Sequence, residues 1–199
     1  LAYLDDLQSN TFNSAIEEIE NQKKIIEICE EISERASNND SVYWYWGDAL
    51  FKLAKLEQKD QQKSFLELAE SKYLLSIEIE PFEDLDSKCR NLNDLYRYQY
   101  FQEVDMNTKI SLLHKAIDTL NKSDNLLLEK AKIYALLKEP QLAVSYLEKI
   151  TFKTDTSSNF LESFFTMFKP SLDDVTLDSD FDNIKNTKEF KEWIKSKKC

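Results

Sequence analysis

Gly47 is the only glycine in a chain of 199 residues. That scarcity removes most strand-rich folds. Hairpins and tight turns draw on Gly, Asn-Gly and Asp-Gly to reach positive φ, and a sandwich or barrel needs a turn roughly every 8–12 residues. One glycine and three prolines cannot supply them. Gly-rich phosphate loops fail for the same reason, as do collagen-like and Gly/Ser-linker readings.

The remaining signal is helical. Almost every window reads at period 3.6. Over 13–36, Ile16, Ile19, Ile25, Ile26, Cys29 and Ile32 form one apolar stripe, with Glu and Lys around it. A break follows at Asn38-Asn39-Asp40, and Ser41 reads as an N-cap. The pattern predicts helices over 41–57, 60–79, 84–102, 106–121, 124–138 and 140–151. It also predicts the end of a helix over 1–8, a Phe-rich amphipathic piece over 158–168, an acidic stretch over 171–183 and a last helix over 187–197. Pro81, Pro140 and Pro170 fall between helices. The gaps are short, so neighbours are expected to pack as antiparallel hairpins.

A chain this long can bury roughly 70% of its unfolded surface, so its core needs no disulfide frame. Cys29, Cys89 and Cys199 are odd in number and far apart. They suit a reducing interior, and the expected location is cytoplasmic. The charge is −11, from 26 basic and 37 acidic residues. Such a chain repels phosphate backbones, so neither nucleic acid nor anionic membrane is an expected partner. No apolar run is long enough to span a bilayer and no basic segment leads into an apolar one, so neither a membrane helix nor a signal peptide is expected. The first residue is Leu rather than Met, as in a domain of a longer polypeptide.

Two segments of the chain repeat one another. The first carries Tyr43, Trp46, Gly47 and Leu50, then Ala69, Tyr73, Ser76 and Pro81; the second carries Ala131 and Tyr134, then Ala143, Leu147 and Ile150. A weaker unit between them has Cys89, Leu92, Asn93 and Tyr96, then Leu113 and Ala116. On these residues the chain resembles the tetratricopeptide repeat, a helix–turn–helix unit that stacks into solenoids. Gly47 and Ala69 stand ten residues further apart than the family spacing, so the first pair carries longer helices or a longer turn. The stretch 177–184 followed by Glu189 and Phe190 is similar to the closing segment of bacterial arrays of this kind.

The resemblance implies an all-α, right-handed α-solenoid of stacked antiparallel helix pairs with a C-terminal capping helix. It would form a single domain over 1–199: a degenerate unit 1–39, repeats 41–83, 84–123 and 124–157, and a capping segment 158–199. Apart from the family, Gly47, Ala69 and Ala131 read as positions where paired helices cross closely.

Candidates for chemistry are few. His114 is the only histidine, and no local nucleophile signature accompanies it. There is no His pair or Cys-x-x-Cys, so no zinc site and no cofactor are expected. Asp178, Asp180, Asp182 and Glu189 occupy the 1, 3, 5 and 12 positions of a calcium loop. However, Asn183 stands at the glycine position, Lys185 replaces an apolar residue, and no entering helix precedes the loop. The expectation is a capping turn without calcium. Cys29 and Cys89 fall on apolar stripes and read as core. Phe160, Phe164, Phe165 and Phe168 share one helical face, read as buried against 140–151.

Transferred position by position, the repeat spacing implies a concave groove lined by the first helix of each pair. Its residues are Trp44, Asp48, Phe51 and Lys52, then Arg90, Asp94, Arg97 and Tyr98, then Leu128 and Lys132. Aromatics with arginines make good anchors for a bound segment, and the arginines suggest an acidic one. The implied function is non-enzymatic: a scaffold or regulatory module that binds a peptide or protein segment. A self-associating structural domain and a small helical enzyme stand beside it as alternatives. Neither the oligomeric state nor the partner's identity is legible.

Overall fold

A computed structural model describes residues 2–8, 10–12, 14–57, 59–150 and 170–197. Among these residues there is no strand. The elements are α1 (Ala2–Gln8), α2 (Ala15–Arg35), α3 (Asp40–Leu56), α4 (Lys59–Ile79), α5 (Leu85–Gln102), α6 (Met106–Leu120), α7 (Leu127–Leu136), α8 (Pro140–Glu148), α9 (Leu172–Leu177), a 3₁₀ turn (Ser179–Phe181) and α10 (Lys188–Lys197). The expected Phe-rich face of 158–168, and Cys199, lie outside the described residues. No helix among the described residues is long and apolar enough to cross a membrane.

The chain divides into two compact units, Leu1–Gln102 and Glu103–Cys199. The boundary falls between the two helices of the expected unit 84–123.

In the first unit α3 is the central element. It buries Val42, Tyr43, Trp46, Gly47, Ala49, Leu50, Phe51, Leu53 and Ala54, and a helix apolar nearly all round belongs inside. Its neighbours α2, α4 and α5 surround it, with α4 in the most extensive contact. Tyr73 on α4 is fully buried and lies against Gly47. Ala69, Cys29 and Cys89 are also fully buried. Helix α3 starts one residue earlier than expected. Asn39 rather than Ser41 is the N-cap, and its carbonyl accepts from the Val42 N–H at 3.2 Å. Ser41 therefore sits inside the first turn. Asp40 enters that turn, where a carboxylate complements the helix dipole.

The second unit is built on α7 and α8. Ala131, Ala135, Ala143 and Leu147 pack with Val175, Phe181, Ile184, Phe190 and Trp193. The 3₁₀ turn packs on α7, and α10 packs on α8. Within the acidic stretch, α9 is a short helix the periodicity did not predict. A reciprocal capping box starts it: Ser171 Oγ accepts from the Asp174 N–H, and Asp174 Oδ2 accepts from the Ser171 N–H.

A chain with one glycine must end its helices by other means. Lys138, just past α7, adopts φ 63. Its N–H bonds the Ala135 carbonyl at 3.0 Å, and the Glu139 N–H bonds the Tyr134 carbonyl at 2.9 Å. Those two bonds form a Schellman closure with lysine where glycine is usual. Asp84, just before α5, adopts φ 48.

Candidate functional site

Eight of the ten expected groove residues lie in the first unit, on α3 and α5; Leu128 and Lys132 lie on α7 of the second. The α3 and α5 residues are not a free charged lining. Phe51 is buried rather than lining a groove, because Tyr98 packs edge-on against it at 5.7 Å and Lys55 Nζ sits 4.1 Å above its ring. Asp48 is fully engaged. It accepts from Gln8 Nε2 at 2.9 Å and pairs with Lys52 Nζ at 2.9 Å, and the Tyr73 hydroxyl donates to it at 3.5 Å. Arg97 pairs with Asp94 at 3.4 Å. The Tyr98 hydroxyl accepts from Gln62 Nε2 at 2.9 Å. Arg90 is exposed on α5.

In the second unit, Leu128 packs partly buried against the core. Lys132 pairs with Asp178 at 2.7 Å. Lys52, Arg97 and Lys132 are therefore neutralised in place, which removes the charge argument for an acidic partner.

Further contacts bind the odd-numbered helices of the first unit. The Tyr45 hydroxyl donates to Asp5 of α1. Burial, then that carboxylate, pushes the phenol up to about 12. Lys88 on α5 is only 3% exposed. Its ammonium pairs with Asp40 Oδ2 of α3 at 2.6 Å and donates to the Glu80 carbonyl at 2.8 Å.

A cleft of about 220 Å³ opens where α3 and α5 begin, lined by Asp40, Ser41, Trp44, Tyr45, Asp84, Ser87 and Lys88. Of the ten expected residues only Trp44 lines it. Lys88 does carry a sequence signal: it stands four before Leu92 and seven before Leu95, a lysine on an apolar stripe. Asp84 has none, because nothing in the sequence marks a non-glycine residue at positive φ.

The other chemical candidates do not converge. His114 is exposed on α6. Burial pushes the Cys29 thiol up to about 12, so it is no nucleophile at neutral pH. Lys72 lies 3.4 Å from the Trp46 ring centroid, and burial lowers its pKa below the ordinary lysine value. Asp178 caps Asp180 at 2.9 Å and holds Lys132, Asp182 holds Lys185, and Glu189 accepts from Gln141. Among the described residues no cluster of His, Cys, Asp and Glu could hold a metal ion.

Compared with models of known protein families, with curated proteins and with solved structures, the chain matches none.

Proposed function

We propose that the chain is a tetratricopeptide-like stack of helix pairs that holds a segment of another protein along the face formed by α1, α3 and α5, with no chemistry of its own. The carrying observation is the row of odd-numbered helices. α1 meets α3 through Asp5–Tyr45 and Gln8–Asp48, and α3 meets α5 through Asp40–Lys88 and Phe51–Tyr98. Meanwhile α2 packs on α3, and α4 on both α3 and α5. First helices of successive pairs touch this way in a stacked array, and their shared face is the extended binding surface such arrays use. The packing of α10 over α8 supports reading the C-terminal segment as a cap.

The test is a random-peptide display selection against the full chain. Enriched segments should lose affinity with Trp44→Ala and with Tyr98→Ala, at about 1–4 kcal/mol for a hot spot, while helicity by circular dichroism stays unchanged. Segments that bind both variants at full affinity would sink the reading. If the selection is empty and mass grows with concentration in sedimentation, self-association replaces it.

A further inference from the structure

We infer that the cleft at the first turns of α3 and α5 receives a cationic side chain, arginine or lysine, of the bound segment; this rests on reading the α1–α3–α5 face as a protein-binding face. Two aromatic rings line the cleft. Trp44 and Tyr45 meet edge to face, with centroids 4.9 Å apart and planes at 71°. Aromatic faces attract a desolvated cation through the ring quadrupole, and arginine also stacks on them.

The charge balance of the cleft agrees. It carries the carboxylates of Asp40 and Asp84 and the ammonium of Lys88. Asp40 is taken up by Lys88 at 2.6 Å. Asp84 is exposed, and its carboxylate makes no hydrogen bond or ion pair among the described residues. The unbalanced charge is therefore negative and stands at the rim.

The turn that holds Asp84 is firmly built. The Glu80 carboxylate accepts from the Phe82 and Glu83 N–H groups. Lys88 Nζ donates to the Glu80 carbonyl, and the Lys88 N–H donates to the Asp84 carbonyl at 3.0 Å. These bonds keep Asp84 at φ 48, a conformation that costs a non-glycine residue and recurs at ligand sites. Two helix starts and a lysine would by themselves suit an anion. Here the lysine is already spent on Asp40, and Asp84 would repel one. The chain's charge of −11 draws basic segments and repels acidic ones at long range.

The experiment titrates the full chain with an acetylated and amidated peptide, Gly-Ala-Arg-Ala, and with its lysine, citrulline and glutamate counterparts. The Trp44 indole N–H resonance is the readout. The arginine and lysine peptides should saturate the shift, and the citrulline and glutamate peptides should bind roughly tenfold more weakly. Asp84→Asn keeps a residue that tolerates positive φ and removes only the charge. It should weaken the arginine peptide about fivefold, with an unchanged melting curve. With binding followed by the backbone amide resonances of Ser41 and Ser87 instead, Trp44→Leu should weaken it too, and Trp44→Phe less.

Equal binding of arginine and citrulline peptides overturns the inference. So does an Asp84→Asn variant with full arginine affinity, or a preference for glutamate. If arginine fails while displayed segments still depend on Trp44 and Tyr98, the inference falls and the binding face stands. If arginine binds as described while displayed segments ignore both residues, the face falls and the cation site stands.

Discussion

A Cβ added to Gly47 would stand 2.8 Å from Tyr73 Cδ1, 2.9 Å from Cε1 and 3.1 Å from Cγ. The ring is fully buried and its hydroxyl is tied to Asp48, so it has nowhere to turn. Alanine at 47 gains about 1 kcal/mol of helix propensity but loses roughly 1–3 kcal/mol to overpacking. Gly47→Ala should therefore lower the urea midpoint at unchanged m, and Gly47→Leu should lower it further. A stabilised Gly47→Ala would mean that the crossing is looser than described. Small residues at close crossings are legible in a sequence because size alone dictates them; Ala69 and Ala131 are fully buried as well. Phe51 shows the limit. Repeat spacing assigns it to the groove lining, but the ring is buried, with Tyr98 and Lys55 seated on it.

Each helix expected among the described residues is present, with ends within three residues of the periodicity reading. Apolar spacing reports which residues must face inward, and that demand is local. Helix ends are less legible, because they depend on caps with no glycine to mark them. Lys138 closes α7 at φ 63. Lys138→Gly should stabilise the chain by about 0.5–1 kcal/mol by relieving the left-handed conformation. An unchanged thermal midpoint would count against the strain. The Asp40–Lys88 pair joins the starts of α3 and α5. Removing the anion strands a buried ammonium, whereas removing the lysine leaves Asp40 in a first helical turn that favours it. Asp40→Asn should cost about 3 kcal/mol and Lys88→Met distinctly less. Equal losses would show that the charge on Lys88 is better solvated than its burial indicates.

At the scale of the molecule, an excess of eleven negative charges acts against compaction. Salt screens that repulsion within about 10 Å at 0.1 M. Surface ion pairs such as Lys63–Glu67 add little that salt could remove. The melting temperature should rise as sodium chloride increases from low ionic strength, and a steady fall would show that attraction between paired charges dominates. The acidic balance was plain from composition. Its local consequence was only partly so: Lys52–Asp48 and Arg97–Asp94 are i,i+4 and i,i+3 pairs within one helix and follow from spacing, whereas Lys132–Asp178 depends on the 3₁₀ turn meeting α7. The buried cysteines add a measure of time. Cys29 on α2 and Cys89 on α5 are fully enclosed. No alkylating reagent reaches either thiol while its helix is seated. With Cys199 replaced by serine, the two labelling rates under native conditions would run as separate clocks. Each would tick only when its own helix lifts away, and the slower one would mark the part of the first unit that lets go last.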